Sequence, residues 1–62
     1  MNDREETLIR LRDLFRESAD IVCELLLLDK REKNGENVDR ELESVVGRFM
    51  FKMMEIGEIS KE

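Results

Sequence analysis

The sequence predicts an all-α fold: an antiparallel two-helix hairpin that pairs with a second copy into a four-helix bundle. Three observations carry this. The chain has no proline in 62 residues and only three glycines, Gly35, Gly47 and Gly57, so helix breakers are scarce. Apolar residues recur at three- and four-residue spacing over residues 3–33 and again over 38–59, which is the helical period. One compact stop-and-start signal, Asn34 to Asn37, divides the two segments.

At about 100° per residue, Leu8, Leu11, Leu14, Phe15, Ser18, Ala19, Ile21, Val22, Leu25, Leu26 and Leu28 fall in one sector of the first helix. That sector covers about half the circumference, a wide amphipathic stripe. Arg10, Arg12, Asp13, Arg16, Glu17, Asp20 and Glu24 occupy the rest. Asn2 or Asp3 suits the N-cap, with Glu5 or Glu6 three residues on as its capping-box partner. Lys30, Arg31 and Lys33 place positive charge in the last turn, where the helix dipole favours it. Asn34-Gly35 then offers residue types that tolerate the left-handed conformation ending a helix.

Asn37 is the next N-cap, with Asp39 and Glu41 in the new first turn. A linker of residues 34–37 is short enough that the second helix must return along the first. In that helix Val38, Leu42, Val45, Val46, Phe49, Met53 and Ile56 form a narrower stripe. Folding the chain back about Gly35 sets Leu28 against Leu42, Leu25 against Val45, and Ile21 against Phe49. The small Ser18 and Ala19 then lie opposite Met53, and Leu14 lies near Ile56, the small-to-large matching that interdigitated packing needs. A hairpin of this match is about 39 Å long.

One hairpin covers each helix on one side only, and chains this small are marginal even with a complete core. Leu11, Phe15, Val22, Leu25, Val45, Phe49 and Met53 are therefore read as core or dimer interface, closed by the two-fold pairing that identical chains most often use.

Composition narrows the function. There is no His, Tyr or Trp, which removes the commonest general base and metal ligand, so no enzyme, cofactor or metal is expected. Cys23 is the sole cysteine and cannot pair within the chain; a single thiol fits a reducing, cytoplasmic setting. The longest purely apolar run is Leu25 to Leu28, far below the roughly 20 residues of a membrane span, and no signal-peptide pattern follows Met1. Eleven Lys and Arg against sixteen Asp and Glu give a net charge of −5, which opposes phosphate binding.

Asp13, Glu17, Asp20 and Glu24 share one side of the first helix, an array of oxygen ligands in form. The interleaved Arg10, Arg12 and Arg16 mark it instead as a solvated ion-pair face. Arg12/Arg16 and Arg48/Lys52 are basic pairs one turn apart and are the candidate nucleic-acid contacts of the alternative reading. Ile9 and Leu27 lie on the charged side of the first helix at nearly one angle, where an extended partner can touch both. The run Phe49-Met50-Phe51-Lys52-Met53-Met54 is the most unusual segment, because methionine suits adaptable binding surfaces. Met50, Phe51 and Met54 are the candidate partner-binding residues; Phe51 cannot face the first helix if Phe49 and Met53 do, since a helix turns about 200° in two residues.

The length, the acidic balance and the hairpin heptads are similar to those of the Rop-type plasmid copy-control proteins. That resemblance implies a dimeric helical bundle, and no functional residue is carried over from it. The reading is a small non-enzymatic regulator or adaptor in a bacterial or phage setting, acting on another protein as a dimer. The alternatives are a nucleic-acid-binding bundle of Rop-like architecture and a hairpin that completes a larger assembly.

Overall fold

A computed structural model describes residues 3–61. They form α1 (Asp3–Lys33) and α2 (Asp39–Ser60), packed against each other as a hairpin, with no strand among the described residues. Thr7 Oγ1 donates back to the Asp3 carbonyl at 2.9 Å in the first turn of α1; Asn2, the other proposed cap, lies outside the described residues.

The turn is built as the sequence implies, with glycine alone carrying the unusual torsion. Gly35 has φ +93°, and no other described residue has a positive φ. The Glu36 N–H reaches the Arg31 carbonyl at 3.1 Å and the Gly35 N–H the Glu32 carbonyl at 2.9 Å. This double closure, the Schellman motif, satisfies carbonyls that the helix end leaves orphaned. The N-cap of α2 is Val38 and not Asn37, and it has no side-chain cap hydrogen bond; Asn37, one residue earlier, accepts the Asp39 N–H on its Oδ1 at 3.1 Å, serving an orphan donor at the start of α2.

The core is a single line of side chains between two helices. Ile21, Leu28, Val38 and Val45 are buried together, with Leu25, Leu42 and Phe49 packed against them. Val38, on which the turn closes, is only 2% exposed. Leu14, Ser18 and Ile59 continue the line towards the open end. Ser18 is small enough for that position, and its Oγ donates to the Leu14 carbonyl at 2.8 Å, so its burial leaves no unmet donor.

Two expectations for α2 are corrected. Val46 and Met53 are exposed, while Ile59 is buried. The inward row of α2 is Val38, Val45, Lys52 and Ile59 at seven-residue spacing, flanked by Leu42, Phe49 and Ile56. The charged head of Lys52 hides this row from a reading of apolar residues alone; its stem lies along the seam and keeps 25% exposure, as long amphipathic side chains do. On the other side, Ser18 is buried as expected opposite α2, whereas Ala19 is exposed.

The hairpin is long and thin, 52 × 15 × 11 Å with a radius of gyration of 14.9 Å. A compact chain of this length has a radius near 10.6 Å, roughly. Its accessible surface is 5196 Å², where the size scaling of folded monomers gives about 4,200 Å².

Candidate functional site

The two helices are right-handed and run in opposite directions, so the stripe about 100° ahead of the buried row on each faces the same way. That places Leu8, Phe15, Val22 and Leu26 of α1 beside Val46, Met50 and Met53 of α2 on one broad face. All of these are exposed; Phe15 is 56% accessible. The face holds no ion pair bridging the two helices among the described residues.

The opposite face is of another kind. Glu17 and Lys52 meet at 3.0 Å, Glu24 and Arg48 at 2.7 Å, and Arg31 forks onto Glu41 while its Nε holds Glu36 at 3.2 Å. These pairs stitch one helix to the other along most of the hairpin, and facing positions sum to about 70, as the folding-back of the sequence implies. The hydrogen bond that the Lys52 ammonium donates to Glu17, the largest cause, holds the Lys52 pKa above its ordinary value. Two shallow grooves run along this side and share Glu24 and Ser44; Leu27 lines one and Phe51 the other.

Of the proposed core or interface residues, Leu11, Leu25, Val45 and Phe49 turn inward, while Phe15, Val22 and Met53 lie on the open face. The sequence treats α1's wide stripe as one surface; the hairpin consumes only half of it. Met50, Phe51 and Met54 are all exposed, Phe51 at 62%. Met50 borders the open face, Phe51 faces the ion-paired side, and Met54 lies between them on the back of α2. Gly47 lies beside Phe51 in its groove, whereas Gly57 belongs to the open face, one turn beyond Met53. Ile9 and Leu27 are exposed on α1.

The basic candidates are mostly engaged. Arg48 and Lys52 hold Glu24 and Glu17, Arg12 holds Asp13 at 3.1 Å, and only Arg16 has no carboxylate partner within ion-pair distance among the described residues. The pair on α1 points away from the seam, and the pair on α2 points into it, so the four do not make one basic surface.

The carboxylates Asp13, Glu17 and Glu24 are likewise taken by Arg12, Lys52 and Arg48. Among the described residues no group of three or more His, Cys, Asp or Glu side chains is placed to hold a metal ion. Cys23 is a free, exposed thiol. No helix in the described residues is long and apolar enough to cross a membrane.

What the geometry offers is therefore a contact surface: an apolar face running from Leu8 to Leu26 of α1, backed by a face whose ion pairs bridge the two helices. No protein-family model, curated protein or solved structure matches the chain.

Proposed function

We propose that this chain is a small non-enzymatic adaptor or regulator that works as a homodimeric four-helix bundle and binds another protein. The observation that carries the reading is the open face. Leu8, Phe15, Val22, Leu26, Val46, Met50 and Met53 form a continuous apolar strip that the hairpin leaves in water, and strips of that kind mark association sites. The surface in excess of a compact monomer, about 1,000 Å², is the area one partner contributes to a standard specific interface, about 800 Å². A second copy closes the strip and supplies the missing half of the core.

The dimer leaves Phe51 outside, because Phe51 belongs to the opposite side of α2. It is the candidate contact for the second protein, with Met54 beside it and Leu27 farther along the same side. Nucleic acid is disfavoured, since Arg48 and Lys52 are already neutralised at the seam.

Paired variants test this. Phe51→Ser is expected to keep full helicity and the doubled mass while losing a protein that the wild-type chain retains on affinity purification. Phe15→Ser is expected to halve the mass. If Phe51→Ser unfolds the chain, or if the material retained is nucleic acid and survives the substitution, the adaptor reading is wrong.

A further inference from the structure

The open face carries a pattern that specifies how a second copy sits on it. On α1, Leu8 and Leu26 are equidistant from Glu17, and so are Phe15 and Ala19. On α2, Met50 and Gly57 are equidistant from the midpoint between Met53 and Met54. Each stripe thus holds one pair in which a large residue mirrors a small one, Phe15 with Ala19 and Met50 with Gly57, while Leu8 mirrors its like, Leu26. Their centres also lie at one level of the hairpin, since the Glu17–Lys52 ion pair at 3.0 Å ties residue 17 of α1 to that part of α2.

We infer that the two copies stack open face to open face and head to tail, α1 on α1 and α2 on α2, about a two-fold axis at the level of Glu17 and Met53. This rests on reading the open face as a homodimer seam. Phe15 of each copy then fills the space beside the other's Ala19, Met50 fills the space beside Gly57, and Met53 meets its own counterpart near the axis. Nothing in the hairpin approaches within 4 Å of a Cβ built on Gly57, so the absence of a side chain there serves no contact within one chain.

Two further observations select this arrangement over the one in which the axis runs along the helices. First, α1 outruns α2: Ile59 lies level with Arg10, so Leu8 projects beyond the end of α2 and is exposed. In the head-to-tail pair, Leu26 of the second copy covers it. In the parallel pair, α1 stacks on the shorter α2 and Leu8 stays bare. Second, the first turn of α1 is acidic (Asp3, Glu5, Glu6) and the last is basic (Lys30, Arg31, Lys33). Head-to-tail stacking sets the acidic turn of one copy along the basic turn of the other. Parallel stacking sets the basic turn beside Asp39 and Glu41 of the second copy's α2 but leaves the acidic turn at an end of α2 that carries no base in its last turn, so only the head-to-tail pair matches both charged ends of α1.

Spin labels at Lys30→Cys and, separately, Asn34→Cys, both in a Cys23→Ser background, read the geometry. Both sites are exposed, and neither side chain has an ion pair or hydrogen bond among the described residues. At about 1.5 Å per residue on either side of the axis, the dipolar distances are expected near 39 Å for Lys30 and near 51 Å for Asn34. Distances under about 25 Å at both sites, roughly two helix diameters, would show the parallel pair and overturn the inference. A sedimentation mass equal to one chain on the same samples would overturn the dimer reading itself. A second variant is independent of the labels. Gly57→Leu is expected to leave or raise helicity while weakening self-association about tenfold or more, because it overpacks the space meant for Met50. Undiminished association of Gly57→Leu counts against the proposed register.

Discussion

The two faces of this hairpin are made of the same two helices and differ in what each still needs. On the ion-paired face Glu17, Glu24 and Glu41 find Lys52, Arg48 and Arg31 across the seam, and only Leu27 and Phe51 among its large apolar residues are left exposed beside them. The apolar face is finished by nothing in the chain, since Phe15, Val22 and Met53 point into water. The energies are unequal as well. Exposed ion pairs contribute about 0–1 kcal/mol each, whereas covering a large apolar side chain contributes about 1.5–3 kcal/mol. The ion pairs therefore line one side of the hairpin at little free energy, and the larger gain lies in covering the other side.

The largest disturbance is expected in the row common to both faces. Ile21→Ala removes a buried side chain from the central cluster and is expected to cost about 2–5 kcal/mol, a large share of what a small protein has; thermal melts would show it as loss of the folded state. Phe15→Ser, on the open face, is next. It should lower the melting temperature and the helicity only through lost dimer, so the difference from wild type shrinks on dilution. If Phe15→Ser instead destabilises equally at all concentrations, the two faces do not differ as described.

Gly35→Val acts at the turn. A β-branched residue forced to φ +93° costs about 1–2 kcal/mol, visible in chemical denaturation and unchanged by concentration. The smallest effect is expected on the ion-paired face. Lys52 has a raised pKa in the folded state because Glu17 bonds its ammonium form. A raised value means its contribution is full below the unfolded pKa, near 10.5, and is lost as pH rises through the folded one. Lys52→Met should therefore remove a slight alkaline weakening, detectable in melts between neutral and strongly alkaline pH, without changing the mass.

Much of this hairpin is written locally. Asn34-Gly35 and Asn37 mark the turn because one needs a left-handed torsion and the other a side-chain acceptor, and both requirements select residue types. Leu25, Val45 and Phe49 are legible as inward because they recur with the helical period. Which half of α1's wide stripe meets α2 is not legible that way. Leu14 and Phe15 are adjacent and both apolar, and only the path of α2 decides that Leu14 is buried and Phe15 is open. Lys52 and Ile59 are not legible for the converse reason: a lysine at the seam has the look of a surface residue, and the row it interrupts then loses its last member. The offset of two residues from Phe49 puts Phe51 on the outside, and it is exposed.

The most direct test of the account is the mass of the intact chain in solution, by sedimentation equilibrium over a range of concentrations at neutral pH. The account predicts twice the 7.4 kDa of one chain, falling towards one chain on dilution, with helicity falling alongside. A well-folded, fully helical species of 7.4 kDa at every concentration would contradict it, because the open face would then be stable in water without a second copy.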